Sequence, residues 1–165
     1  MAATFKRVGR DRVRVRLGLE EVAVLRGLPE QLRAVLTDAG DDPVNRRLFP
    51  PAYLEPDDAE RDAEYRRLMR DELVEAKLAN LELVTDTLAR GSPTVRRWRV
   101  DLTEEEASAW LGVLNDLRLA LGVRLEITED FDGRVDDADP RAPAMHLLSY
   151  LGWLEEHLLE ALSSR

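Results

Sequence analysis

Residues 57–90 read D-D-A-E-R-D-A-E-Y-R-R-L-M-R-D-E-L-V-E-A-K-L-A-N-L-E-L-V-T-D-T-L-A-R and contain neither glycine nor proline. This stretch predicts one continuous helix that ends at Gly91, which we interpret as a left-handed cap. At about 1.5 Å per residue the helix is about 50 Å long, whereas a compact globule of this chain length is only about 40 Å across. We therefore expect the helix to overhang its own domain or to pack against a partner.

The two halves of the stretch differ in composition. The half at 73–88 carries leucine and valine at helical spacing and is predicted to enter the core. The half at 57–72 is dense in charge, and its main apolar residues are Tyr65, Leu68 and Met69. We predict that these three residues form an interface. This interface would be covered in one of three ways: by the segment 43–53 folding back, by a second copy of the chain in a homodimer, or by a different protein.

The N-terminal region predicts a small antiparallel sheet. In Arg12–Leu17 (R-V-R-V-R-L) arginine alternates with valine or leucine, which is typical of a half-buried strand and predicts a hairpin over residues 4–17. Residues 95–102 are also strand-like and are suited to pair with this hairpin. Further helices are predicted over about 19–38, 104–121 and 143–163. Together these elements predict a predominantly helical α+β fold, a bundle of four or five helices with a sheet of two or three strands.

Local signals place the helix ends and the connections. Thr103 opens a capping box (T-E-E-E), and the helix that follows is predicted to stop at Gly122. The segment 43–53 is predicted to be an irregular connection with a short turn at 44–48, because two prolines follow. We find no linker that divides residues 1–165, so the chain is predicted to be a single domain.

Composition limits the cellular compartment and the classes of binding partner that we expect. The chain has 165 residues, no cysteine and a net charge of −9. It shows neither a signal-peptide pattern nor an apolar run of the roughly 20 residues that span a bilayer, so we expect a cytoplasmic protein with no membrane partner. The basic N-terminus, residues 1–16, carries a local charge of +5, but the whole chain would repel a polyanion. We therefore predict no nucleic-acid partner.

The chain contains no recognisable catalytic or metal-binding motif. No nucleophile elbow and no phosphate loop is present, and His146 and His157 are about 16 Å apart along one predicted helix, too far to share a metal. Residues 128–139 resemble a calcium loop, but Thr128 replaces the first aspartate and Asp139 replaces the final glutamate. We therefore predict no metal and no cofactor, and residues 126–140 are predicted to be a solvated acidic loop.

Arginine supplies the remaining candidates for a site. Arg118 lies at the edge of an apolar helical stripe, where it could hook an anion. The residues that would assist it in binding an anionic metabolite are Arg46, Arg47, Tyr53, Asn115 and Arg124. The alternative, which we favour, is that Arg118 satisfies a buried carboxylate or the carbonyls of a helix end.

Four stretches together resemble a known family: F-K-R followed by R-V-R-V-R-L at the N-terminus, D-P-V-N-R-R-L-F-P-P-A-Y at 42–53, E-Y-R-R-L at 64–68 and N-D-L-R-L-A-L-G-V-R at 115–124. The chain is similar, over about residues 5–162, to an uncharacterised actinobacterial domain of unknown function. Genes of that family commonly lie beside the gene for ClpS, the adaptor of the Clp protease, and near genes for a JAMM-type metalloprotease and for cysteine synthesis. The resemblance implies a link to proteolysis or sulfur metabolism and assigns no catalytic residue.

Two functions follow as expectations. The first is a non-enzymatic cytosolic interaction or accessory protein with a protein partner in a proteolytic pathway. The second is a small enzyme or binding protein for an anionic metabolite, which uses the arginine set. A polar cleft lined by Arg118 and Arg124 would favour the second.

Overall fold

The computed structural model describes residues 3–38, 40, 42–49 and 59–164. In chain order the elements are β1 (Thr4–Val8), β2 (Arg12–Gly18), α1 (Leu19–Thr37), α2 (Pro43–Leu48), α3 (Ala59–Arg90), β3 (Ser92–Pro93), β4 (Arg97–Thr103), α4 (Glu104–Arg124) and α5 (Ala142–Ser163). Within these ranges there are five helices and one antiparallel sheet, which confirms the predominantly helical α+β prediction.

The sheet has the strand order β1-β2-β4-β3, with every neighbouring pair antiparallel. The hairpin forms from β1 and β2, and β4 pairs with β2 in a register that places Val15 opposite Val100 and Leu17 opposite Trp98. The two-residue strand β3 adds a short fourth member at the edge. The apolar residues of β2 and β4 are buried under the helices, so the other face of the sheet carries the charged residues of these strands.

The helix α3 is continuous, and its C-terminal half buries Leu81, Val84 and Leu88 in the core. The expectation of a left-handed cap at Gly91 was wrong, because the described glycines with positive φ are Gly9 and Gly133. Glycine is required at 91 for another reason. A Cβ atom there would lie 2.0 Å from the ring of Trp98, so the side chain of Trp98 can pack directly over the backbone only where no side chain intervenes.

The helix α4 begins at the predicted capping box, in which Thr103 Oγ1 accepts from the amide of Glu106 at 3.2 Å. Its predicted end at Gly122 was wrong, since the helix runs through that glycine to Arg124. It ends where Glu126 adopts a φ of 54°. The amide of Glu126 donates to the carbonyl of Val123 and the amide of Ile127 to the carbonyl of Gly122, a Schellman arrangement that satisfies the last carbonyls.

The connection after α1 contains a helix where an irregular segment with a short turn was predicted. Asp42 caps α2 by accepting at Oδ1 from the amide of Val44 at 2.8 Å, and Pro43 occupies the first turn. Proline fits there because its missing N–H would have no helical partner. The helix is six residues long and ends at Leu48, two residues before the first of the two prolines in the sequence.

Candidate functional site

The two central arginines of the predicted anion site each face a carboxylate. The Nη1 of Arg118, on α4, lies 2.5 Å from the Oε2 of Glu155 on α5. The Nη2 of Arg124 lies 2.8 Å from the Oδ2 of Asp42, the cap of α2. Each pair joins α4 to another helix, so both guanidinium groups help to hold the bundle together. This geometry favours the structural interpretation of Arg118.

The other described members of that set lie on α2 and α4. Arg46 and Arg47 are exposed on α2, and Asn115 is exposed on α4. Tyr53 lies outside the described residues. The described members of the set therefore lie on the surfaces of two helices.

A groove between α1, α4 and α5 borders Arg124. Its volume is about 390 Å³. Apart from Arg124 and Gln31, its lining is apolar: Leu28, Leu32, Val35, Leu117, Ala120, Leu121 and Leu147. Arg118 does not line it. The groove therefore lacks the convergent polar groups that would orient an anionic metabolite.

A buried asparagine, which the sequence analysis did not single out, organises the junction of α1, α2 and α3. The Nδ2 of Asn45 donates to the carbonyls of Val35 and Asp38, both at 2.9 Å. These carbonyls lie at the C-terminal end of α1, where no later helical amide can reach them. The Oδ1 of Asn45 accepts from the Nη2 of Arg70 on α3 at 2.7 Å. The helix-start signal at 42–43 was the available clue that this segment is ordered.

The same junction extends to α4 through charged side chains. The guanidinium of Arg70 lies 5.3 Å from the ring centroid of Phe49, and the Nζ of Lys77 lies 6.0 Å from the same centroid. Lys77 also donates to the Oδ1 of Asp116 at 2.7 Å, and Asp116 is buried. These groups contact one another and so join α2, α3 and α4.

Apolar side chains are exposed in the N-terminal half of α3. The exposed fractions are 53% for Tyr65, 55% for Leu68, 38% for Met69 and 43% for Leu73. Residues spaced three or four apart share one side of a helix, so these four form one surface, which we call the α3 stripe. The first three are the predicted interface residues. More than half of the surface of Tyr65 and of Leu68 is open to solvent.

The histidines and the acidic loop form no metal site within the described ranges. The Nε2 of His146 lies 3.0 Å from the Oδ1 of Asp137, and the ring of His157 stacks on Trp153 with centroids 4.0 Å apart. No group of three or more histidine or carboxylate side chains is placed to hold a metal in the part of the chain that the structure describes. Among the described helices, none has the length and apolar character needed to cross a bilayer.

Comparison with known proteins gives relatives in mycobacteria. The chain is 34% identical over 156 residues to a protein of Mycobacterium leprae named putative oxidative stress regulator AosR; the match covers 87% of this chain and 67% of that protein. It is 35% identical over 130 residues to the oxidative stress regulator AosR of Mycobacterium tuberculosis, covering 72% of this chain and 57% of the relative. The chain therefore matches only part of these longer proteins. No solved structure matches it.

The family model described as a domain of unknown function (DUF2017) matches residues 1–162. That range contains the sheet, the five described helices except the last residue of α5, the α3 stripe and the arginine pairs. The chain therefore belongs to the DUF2017 family.

Proposed function

We propose that this protein is a non-enzymatic, cytosolic regulatory or accessory protein that acts by binding another protein through the α3 stripe. The mycobacterial relatives are named oxidative stress regulators, and regulation is a role that needs a binding surface rather than a catalytic centre. The rival function is the binding of an anionic metabolite. It is disfavoured because Arg118 and Arg124 each form an ion pair with a carboxylate of the chain and because the groove beside Arg124 is mostly apolar.

The observation that carries the proposal is the position of the stripe on α3. The core receives the C-terminal half of this helix, and among the side chains that the structure describes a hydrogen bond from Arg70 ties α3 to α2. From Ala59 to Arg70 the helix extends about 16 Å at 1.5 Å per residue. Tyr65, Leu68 and Met69 lie on this extension, where large apolar side chains in contact with water are typical of a surface that a partner covers.

We commit to a protein of a different kind as the occupant, rather than a second copy. The extension carries many charged residues around the stripe, and a charged rim around a small apolar centre is the usual anatomy of a non-obligate interface. A homodimer is the competing outcome, since antiparallel pairing of two such helices needs no further chemistry.

The experiment compares two double variants of equal charge. Leu68→Glu with Met69→Glu places two carboxylates in the stripe, and Val24→Glu with Leu159→Glu places two at apolar positions that are equally exposed on α1 and α5. A photo-crosslinking residue at Tyr65 is used to capture the partner from native cytosol. We expect a wild-type monomer in light scattering and a defined partner that the stripe variant loses and the control variant keeps.

Two results would contradict this proposal. A wild-type dimer that the stripe variant converts to a folded monomer would assign the surface to self-association. A partner that both variants retain equally would place the interface elsewhere. For the finer proposal of a link to Clp-type proteolysis, purified ClpS is the first partner to test, because the resemblance places the family's genes beside its gene; binding that the stripe variant abolishes would support it.

A further inference from the structure

The outer face of the sheet gathers basic side chains from two stretches that are far apart in sequence. Side chains alternate along a strand, so the residues between the buried positions of β2 and β4 lie on the face away from the helices. With their neighbours on β1 these residues are Lys6, Arg12, Arg14, Arg16, Arg97, Arg99 and Asp101. Six cations and one carboxylate thus share this surface, which we call the basic sheet face.

The one carboxylate of the basic sheet face is already paired. The Nε and Nη2 of Arg14 each donate to an oxygen of Asp101 at 2.8 Å, a two-pronged contact across the β2–β4 pair. This contact lowers the pKa of Asp101, so that the carboxylate stays charged and bound. The other cations, Lys6, Arg12, Arg16, Arg97 and Arg99, form no ion pair with any residue in the described ranges.

Two of these cations stand directly opposite each other. The register pairs Arg16 on β2 with Arg99 on β4, and the flanking strands contribute only Thr4 and Ser92 to the same row. Directly opposed side chains in an antiparallel pair have Cβ atoms about 4.5–5.5 Å apart, and like charges at that separation are destabilising. The cost is removed when an anion binds between the two guanidinium groups, since each group can grip a carboxylate with two hydrogen bonds.

We propose that the basic sheet face binds an acidic polypeptide segment, extended and rich in aspartate or glutamate. Arg12, Arg14 and Arg16 repeat at every second residue, which is about 6.8 Å along an antiparallel strand. In an extended peptide the side chains of one side repeat at the same interval. A segment with a carboxylate at every second position therefore places carboxylates opposite Arg12 and Arg16, the two arginines of β2 that form no ion pair in the described chain.

A polypeptide fits this face better than a nucleic acid does. The strand positions of the basic sheet face, as far as the structure describes them, include no aromatic side chain on which a base could stack. The chain carries a net charge of −9 although this face is strongly positive, so its remaining surface is more acidic still. A long polyanion would reach that acidic surface within the Debye length of about 8 Å at physiological salt, whereas a short acidic segment would not.

This inference goes beyond the proposed function, because it assigns a second surface, formed by the strands of the sheet and sharing no residue with the α3 stripe. An experiment can contradict one of the two proposals and leave the other unaffected. Variants of the stripe leave the arginines of the sheet intact, and variants of the sheet leave the stripe intact, so a loss of binding identifies the surface responsible.

The test uses a fluorescent ten-residue peptide of alternating glutamate and serine, with the glutamine–serine peptide as its neutral counterpart. Binding is measured by anisotropy in low and physiological salt. Arg16→Gln with Arg99→Gln is compared with Arg33→Gln and Arg134→Gln, which make the same charge change elsewhere. We expect the acidic peptide alone to bind, the sheet variant to lose about tenfold or more in affinity, and the control variant to lose less than about twofold.

Any of the following results would overturn the proposal. The first is equal loss of binding in the two variants, or no binding of the acidic peptide to the wild type even in low salt. The second is tighter binding of a single-stranded or duplex DNA 20-mer that depends on Arg16 and Arg99, which would make the face a nucleic-acid surface. The third is self-association that the sheet variant removes. If circular dichroism shows that the double variant is unfolded, Arg12→Gln replaces it, with an expected loss of about threefold.

Discussion

Arg70 on α3 and Asn45 on α2 are joined by a hydrogen bond of 2.7 Å from the Nη2 of the arginine to the Oδ1 of the asparagine. We expect Asn45→Ala to lower the free energy of unfolding by about 1–3 kcal/mol, because the part-buried carbonyls of Val35 and Asp38 lose their donor. Chemical denaturation measures the change. Asn115→Ala, the same substitution on an exposed surface, is the matched control and is expected to change stability by less than about 0.5 kcal/mol. Equal effects would contradict the role given to Asn45.

Arg118→Ala is expected to be mild. The side chain of Arg118 is 42% exposed and that of Glu155 is 23% exposed, so the pair belongs with partly solvated surface ion pairs. Such pairs contribute about 0.2–1 kcal/mol. A double-mutant cycle with Glu155→Ala should give a coupling energy in that range by thermal or chemical unfolding. An Arg118→Ala variant of unchanged stability that had lost the binding of a small anion would restore the rival function.

Glu126→Gly is expected to stabilise the protein. Glu126 has a φ of 54°, in the left-handed region, where a side chain costs about 1–2 kcal/mol relative to glycine. The substitution relieves this cost and keeps the Schellman hydrogen bonds, so the free energy of unfolding should rise by about 1 kcal/mol after the extra backbone entropy of glycine is counted. Glu129→Gly, in the same acidic segment but at a residue without positive φ, should leave stability unchanged or lower it.

The pair of Arg90 and Glu106 predicts a loss of stability in acid. Hydrogen bonds from Arg90, with Nη1 2.7 Å from Oε1, hold the pKa of Glu106 below its usual value of 4.5. A carboxyl group with a lowered folded-state pKa stabilises the fold above its unfolded pKa, and this contribution disappears as the pH falls through the folded pKa. The difference in unfolding free energy between the wild type and Glu106→Gln should therefore shrink as the pH is lowered below about 4.5. Arg90→Gln should show the same convergence, and a difference that is constant with pH would contradict the assignment.

Oxidation of this chain is expected to modify methionine side chains. This chain has no cysteine and so no thiol to oxidise. Met69 lies exposed in the α3 stripe, whereas Met145 is buried. We expect hydrogen peroxide to convert Met69 to the sulfoxide well before Met145, with the peptide masses read by mass spectrometry. The polar sulfoxide should weaken binding at the stripe, and Met69→Leu should bind equally well before and after peroxide treatment. Faster oxidation of Met145 would contradict the exposures.

Much of the fold follows from patterns that span only a few residues. The alternation in Arg12–Leu17 predicted the half-buried strand that became β2, and the capping box at Thr103 predicted the start of α4. The absence of glycine and proline from residues 57–90 predicted the long α3 with its exposed apolar residues. These features follow from the sequence alone because the periods of a strand and a helix are properties of the backbone. The face on which a side chain lies is therefore fixed by its position within the element, independently of the rest of the chain.

Only the tertiary structure decided which side chains meet. Nothing within a few residues of Gly91 indicates that the ring of Trp98 must pack over its backbone, and nothing near Arg16 indicates that Arg99 stands opposite it. Asn45 shows the same limit. Its partners are Val35 on α1, Asp38 just after the end of α1, and Arg70 on α3. Such contacts depend on strand register and helix packing, which are set by the burial of apolar surface over the whole chain rather than by any local pattern.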